Sequence, residues 1–525
     1  MNRLDPGALL WPAIAGLTAG AVSLGVSELA AGVLPRVPSL VVAVGDEAIA
    51  LQPPGAKDVM VQLFGTNDKL ALNLLVVAGV LGFAAIAGVL AARRFAAGAA
   101  LFGVFGLVAA VVAMGEVGGS PPGAVIGAGL AVAAGLVALR AELSIRPGRV
   151  GPRVAAVKAV AAVEPSRSDP WDRRRFLIAS AGTIAAVGVA GGVGRSRLDA
   201  QHPTGVVTSS RLPRAMVAAP PLAADAELAV PGISPLVTSP GAFYRIDTTL
   251  LTPAVDVGTW KLEVKGMVDH PLTFDYDQLL AMPLYEQYVT ISCVSNEVGG
   301  HLVGNALWTG VRLKEVLAAA GVQPGATQVV GRSVDDFTVG FPTAWAMAPE
   351  REPLIAVGMD GQPLPAAHGF PARLIVPGLY GYVSATKWLA SIELTTREAV
   401  DGYWIPLGWA KDGPILTQSR IDVPADGATL AAGAVAIGGI AWAPDRGVER
   451  VEVRVDGGDW RPTTVSRAIS RATWVQWTTT WAATPGRHTI EVRATDGTGV
   501  VQTDEVTRPA PDGARGHHMI GVLVR

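Results

Sequence analysis

One cysteine in 525 residues, Cys293, leaves no internal disulfide to form, so the fold must rest on packing. Thiolate-rich zinc and iron–sulfur sites are excluded on the same ground. Charged residues make up only 16% of the chain and the net charge is −2, which gives no footprint for nucleic acid. Histidine is missing from the first 201 positions, since all seven lie at 202 or beyond. A bis-histidine haem in the N-terminal part is thereby ruled out.

What is present there is apolar sequence. Five runs, at about 9–33, 70–92, 96–114, 123–139 and 176–193, are long enough to cross a hydrocarbon core and rich in Gly and Ala that permit close helix packing. Glu28, Asn73 and Glu116 lie in or beside them as helix-end or interhelical polar groups, with a polar pathway as the alternative. Basic residues gather at Arg93 and Arg94, at Arg140, Arg146, Arg149, Arg153 and Lys158, and at Arg173 to Arg175, whereas the loop expected near Asp46 and Glu47 has few. The positive-inside rule then predicts a cytoplasmic N-terminus and an extracytoplasmic location for everything after the fifth span. "DRRRFLIASAGTIAAVGVAGG" resembles a twin-arginine export signal through Arg173, Arg174, Phe176 and Leu177; it reads equally as the cytoplasmic anchor of a spanning helix.

The predicted organisation is a helical membrane region at 1–195, a proline-rich linker at 196–240, an α+β domain at 241–412 and an all-β domain at 413–525. One helix is expected after Thr309 as N-cap, with Val311, Leu313, Val316 and Leu317 on its apolar stripe and Gly321 at its end. "RVEVRVDGGDW" and "HTIEVRATDGTG" alternate strictly around Asp-Gly turns. With tryptophans at 442, 460, 474, 477 and 481 as core, they predict an immunoglobulin-like sandwich.

Cys293 ends the alternating run "YVTISC" and opens the loop "VSNEVGGHL". Taken alone it is a small buried hydrophobe; at a strand end it is also placed where sites are assembled. A cysteine nucleophile would need His301 or His368 as base. A metal cofactor bringing its own sulfur ligands needs a single protein thiolate, which suits the count of one. The stretch at 358–394, "GMDGQPLPAAHGFPARLIVPGLYGYVSATKWLASIEL", adds His368, Arg373 and Lys387 in turn-like contexts, a candidate basic nest for an anionic, phosphate-bearing group.

These residues resemble the sulfite oxidase family of molybdopterin-dependent oxidoreductases. The family pattern NGxPLPxxHGFPxRxxVPGxxG…KWL is matched almost throughout from Asp360 to Leu389, and Trp308, Gly310 and Leu313 match its Trp-x-Gly-x-x-Leu. "IGGIAWAPDRGVERVEVRVDGGDW" is similar to its immunoglobulin-like dimerisation domain. The resemblance implies a molybdenum–pyranopterin cofactor with Cys293 as the protein's metal ligand, Arg245 near the substrate, and pterin and phosphate contacts from Phe243, Tyr244, Arg245, Asp335, His368, Arg373, Ala385, Thr386 and Lys387. It also implies two-electron oxygen-atom transfer on a small molecule, a separate electron-transfer partner and a homodimer.

Three departures bear on the substrate. "CVSNEVGG" has none of the arginines that hold sulfite in the family, "YRID" replaces Arg-Asn-His, and Phe337 stands at a family tyrosine. A desolvated dianion needs paired cations, so an S-oxide is favoured over sulfite. Beside that reading stand a true sulfite oxidase or dehydrogenase and, from another class, a non-catalytic exported binding or assembly protein with a degenerate cofactor fold.

Overall fold

Backbone-to-backbone helix contact, made possible by small residues, organises the N-terminal part of the computed structural model. A Cβ on Gly16 would lie 2.1 Å from the Ala84 carbonyl oxygen, and one on Gly32 the same distance from that of Gly194. The structure describes residues 6–51, 68–116, 119–144, 170–202, 205 and 212–525. It separates into two units, Met1–His202 with Thr248–Ala254, and Pro203–Asp247 with Val255–Arg525.

The first unit contains α1 (Pro6–Val33), α2 (Leu40–Ala50), α3 (Asp68–Arg93), α4 (Phe95–Ala113), α5 (Pro121–Ser144) and α6 (Pro170–Gln201). All but α2 contain runs long and apolar enough to cross a membrane. Asp46 and Glu47 sit on α2 rather than in the expected loop, because Ser39 accepts the Val42 N–H at 3.2 Å and caps a helix there. Asp46 in turn accepts the Leu250 N–H at 2.8 Å. The basic residues Arg146, Arg149, Arg153 and Lys158 lie outside the described residues.

The expected linker at 196–240 gives up its first six residues to α6, which runs to Gln201; in the second unit the described residues of the proline-rich run form no helix but do not hang free. The Val217 strip pairs in parallel with Tyr285, Leu228 N–H donates to Gln476 Oε1 at 2.7 Å, and Thr238 N–H donates to the Asn305 carbonyl at 2.7 Å. Prolines remove donors and fix φ, so the run survives as a strap, several of whose N–H groups find partners on the domains beneath.

Those domains are an α+β layer and a sandwich. One mixed sheet has the order β2 (Leu272–Phe274), β1 (Leu262–Gly266), β10 (Leu389–Thr395), β5 (Gln328–Ser333), β6 (Thr338–Pro342). A second has β3 (Tyr285–Ser292), β4 (Val303–Arg312), β7 (Leu354–Met359) and β8 (Gln362–Pro363), with β9 (Arg373–Ile375) also on β7. Fully buried Trp308, Val311, Leu354 and Leu374 join them in one core. The helix Leu313–Ala320 starts later than expected: Arg312 occupies its N-cap, and Thr309 is buried inside β4. Burial of β4's two faces extends the strand past the expected cap, while Gly321, at φ +69°, ends the helix as anticipated.

The sandwich pairs the sheet β11 (Gln418–Val423), β13 (Gly433–Trp442), β17 (Val475–Ala483), β16 (Thr464–Val465) with β12 (Thr429–Leu430), β19 (His518–Val524), β18 (Gly486–Asp496), β14 (Val448–Val455), β15 (Arg461–Pro462). Trp477 fills its centre, whereas Trp442 and Trp474 pack into the core of the α+β layer. Trp460 is only partly buried and lies between the Arg454 and Arg493 guanidinium groups, and Trp481 is also partly buried. Trp474 Nε1 donates to the Leu236 carbonyl at 2.8 Å, and Asn305 donates to the same oxygen at 2.9 Å, so strap, sandwich and α+β layer meet at one acceptor. Trp474→Ala removes both ring and donor there; the denaturant midpoint of the detergent-solubilised chain should fall by the equivalent of about 3–5 kcal/mol.

Candidate active site

Strand β3 delivers Cys293 to the bottom of a loop tied at its neck. Its N–H donates to the Leu302 carbonyl at 2.9 Å, its carbonyl accepts the Asn296 N–H at 3.1 Å, and Asn296 Oδ1 accepts the Leu302 N–H at 2.7 Å. The thiol is buried. The sandwich walls the loop from outside: Arg420 Nη1 donates to the Gly300 carbonyl at 2.8 Å, and a Cβ on Gly299, at φ +77°, would strike the His518 ring. Val294 to Gly300 is therefore a fixed surface and carries Glu297 but no cation.

Phe243 stands opposite, where its ring stacks on Tyr244 with centroids 5.4 Å apart and meets the edges of Trp308 and His368 at 5.8 and 5.7 Å. Only glycine at 304 lets that ring approach, for a Cβ there would be 2.6 Å from it. Burial raises the Tyr244 phenol pKa, a Cys293 thiolate would raise it further, and the Arg373 guanidinium opposes both. The three groups thus share one small volume.

Arg373 is the unusual member. It is 4% exposed, lies 5.0 Å above the Trp308 ring, and donates through Nη1 to the His368 carbonyl at 3.1 Å. Burial lowers its pKa to about 10, with Tyr244 resisting the shift. Its Nε has no partner and no carboxylate pairs with it among the described residues. The Thr386 hydroxyl and Asp335 Oδ2 are also buried without partners, and burial raises the Asp335 pKa. Asp335 is drawn in by the Val334 N–H, which donates to the Trp388 carbonyl at 2.9 Å.

His368 enters uncharged. Its Nε2–H donates to the Pro240 carbonyl at 2.7 Å, and burial lowers its pKa to about 4, with the nearby arginines adding to the shift. Lys387 is held by Asp247 and donates to the Ala367 carbonyl at 3.2 Å, with its Nζ 4.5 Å from the Trp388 ring centroid. Arg245 lies 3.8 Å from the same Asp247. Ala385 and Thr386 lead from the turn Gly381–Ser384 into Lys387. The structure therefore gathers Cys293, Phe243, Tyr244, Arg245, Asp335, His368, Arg373, Ala385, Thr386 and Lys387 into one neighbourhood. It does not hydrogen-bond His301 or His368 to the thiol among the described residues, and no group of three His, Cys, Asp or Glu side chains there could hold a metal alone.

Sequence reasoning passed over three nearby residues. Tyr380, its phenol pushed up to about 12 by burial, feels the Cys293 charge and lay unremarked inside the quoted 358–394 stretch. Tyr403 places its ring 5.6 Å from Phe337, restoring a phenol beside that position from a different segment. Asp247 was visible in "YRID" but had no role until its partners were seen.

Comparison with known proteins completes the assignment. Residues 249–404 match the oxidoreductase molybdopterin binding domain, and 418–492 a bacterial Ig domain. Human mitochondrial sulfite oxidase is 34% identical over 260 residues, covering 42% of this chain and 48% of that protein. The oxidoreductase YuiH of Bacillus subtilis, itself uncharacterised, is 35% identical over 158 residues, 30% of this chain and 76% of its own length. The chain belongs to the sulfite oxidase family of molybdopterin-dependent oxidoreductases. It spans about half the length of the mammalian sulfite oxidases it matches. The crystal structure of the sulfane dehydrogenase SoxCD from Paracoccus pantotrophus superposes with a TM-score of 0.49 at 22% identity, over 55% of this chain and 81% of that one.

The family's cofactor is molybdopterin, and the residues here fit it. A buried guanidinium without a counter-ion calls for an anion, a buried unpartnered carboxylate oxygen for an N–H donor, and a buried thiol for a soft metal. The phosphate, pterin and molybdenum of a bound molybdopterin would supply these in that order.

His368 provides a pH signature. Its folded pKa lies below the ordinary 6.5, so the unfolded chain takes up the proton first. The stabilisation is complete above pH 6.5 and is lost as pH falls toward about 4. Denaturant midpoints across that window should fall less steeply in His368→Gln, which keeps a donor for Pro240, by up to about 1.4 kcal/mol per pH unit.

Proposed function

We propose that this chain is a membrane-anchored molybdenum–pyranopterin oxidoreductase that performs two-electron oxygen-atom transfer on a small S-oxide, with its catalytic unit on the extracytoplasmic side. The observation that carries the reading is Arg373, a buried cation without a counter-ion among the described residues, beside a buried, single thiol. The cofactor, when bound, supplies oxygen-atom transfer coupled to a two-electron change at molybdenum.

The chain's own groups have distinct tasks. Cys293 contributes the protein's thiolate ligand, and the hydrogen bonds at the loop neck fix its direction. Arg373 and Thr386 hold the phosphate end; Asp335 accepts from the pterin. His368, neutral and locked by Pro240, can accept through Nδ1. Phe243, Tyr244 and Trp308 exclude water from this volume, which strengthens every charge interaction inside it. Ala385 and Lys387 complete the cradle. Arg245, 41% exposed at its side chain, is more open than Lys387 or Arg373 and is the cation an entering substrate would meet.

The five apolar helices support anchoring in a membrane, and Arg173 and Arg174 at the start of α6 support export through a twin-arginine route. Electrons pass to or from a separate partner, and the sandwich mediates a homodimer. Sulfite oxidation is the second reading, favoured by 34% identity to human sulfite oxidase; the cation-free loop 294–300 weighs against it.

Molybdenum per chain decides the assignment. Protein from cells that make the cofactor should contain about one molybdenum per chain, and Cys293→Ala should lose at least about 10²-fold in dye-driven sulfoxide reduction through loss of the metal's thiolate. A folded wild-type protein free of molybdenum and pterin overturns the reading, and turnover of sulfite alone replaces S-oxide with the second substrate class. For topology, protease added outside intact spheroplasts should release residues beyond about 202; protection of that half reverses the orientation.

A further inference from the structure

Asp247 is a buried carboxylate at the site that cofactor binding does not explain. Its side chain is 4% exposed, and a buried carboxylate is costly unless paired. Here it is paired twice. One oxygen holds the Lys387 ammonium, itself 12% exposed, and the other lies 3.8 Å from Arg245 Nη2.

The consequence is a charge count. Arg373 is committed inward beneath His368, whose ring is neutral. The loop after Cys293 adds Glu297 and no cation, and its sandwich-side neighbour Arg420 is bound to Asp422 at 2.7 Å. Arg245 is then the cation most open to solvent in this cluster, and Asp247 offsets its charge before any substrate arrives. With one carboxylate set against two cations, the triad keeps a single net positive charge in place of two; an oxoanion entering here meets a weakened potential and must also leave water, whereas a neutral S=O group needs only one donor.

We propose that Asp247 determines substrate class: by holding Arg245 and Lys387 together as an ion triad, it makes the site one for neutral S-oxides and disfavours dianions such as sulfite. This rests on the molybdenum–pterin reading and narrows its substrate.

Inorganic sulfate serves as an unreactive dianion probe, with binding to the full-length protein in detergent followed by calorimetry and molybdenum content measured on every sample. Sulfate should bind Asp247→Asn at least about tenfold more tightly than wild type, with a steeper salt dependence, and Asp247→Glu should return toward the wild-type value. KM for dimethyl sulfoxide should change less than sulfate affinity, a split that general loosening of the site does not produce. Equal sulfate affinity in wild type and Asp247→Asn overturns the proposal. If Asp247→Asn does not accumulate, Arg245→Gln decides: unchanged sulfate affinity supports the offset charge, and a tenfold loss shows an arginine already open to anions. Wild-type protein without molybdenum fails the underlying reading instead, and the sulfate comparison, which needs no turnover, still judges Asp247.

Discussion

A guanidinium buried without a counter-ion is the constraint on which the rest of the site depends. Among the described residues, Arg373 gives up hydration and receives the Trp308 face and one carbonyl in exchange. Interiors tolerate a charge like this when a ligand completes it, so the fold around Arg373 is best understood as one half of a binding equilibrium. The neutral state of His368 follows directly, since a second proton beside Arg373 would add repulsion to desolvation. The unpartnered Thr386 hydroxyl and Asp335 oxygen belong to the same incomplete set.

Rigidity around this set comes from elements far apart in the chain. The Leu236 carbonyl, near the end of a proline-rich strap, accepts hydrogen bonds from β4 through Asn305 and from the sandwich through Trp474. Arg420 and His518 then press the sandwich against the loop that follows Cys293. The β-domain consequently shapes the wall of the site in addition to any part it plays in assembly. A linker that looked like a spacer is, in the second unit, a clamp.

Much was legible in the residues themselves. Five apolar runs gave five helices because length and hydropathy alone satisfy the requirement for crossing a hydrocarbon core. Alternation around Asp-Gly turns gave β14 and β18 for the same local reason. Failures fell where tertiary burial outvoted local pattern: Thr309 has a capping side chain but lies in a doubly buried strand, and Asp46 has a loop-like composition but follows a serine-capped helix start.

The sequence by itself determined the ligand chemistry: one thiol, one motif-borne arginine and no histidine in the N-terminal apolar part restrict what can be bound, because residue types are fixed covalently. Only the tertiary structure decided the charges. Arg373, His368, Lys387 and Arg245 read alike as basic residues in a row of letters, yet burial neutralises one, isolates another, and Asp247 pairs the remaining two. Protonation and net potential depend on solvent exclusion and on neighbours brought from 140 positions away, as Asp247 is to Lys387, and no local pattern encodes that distance.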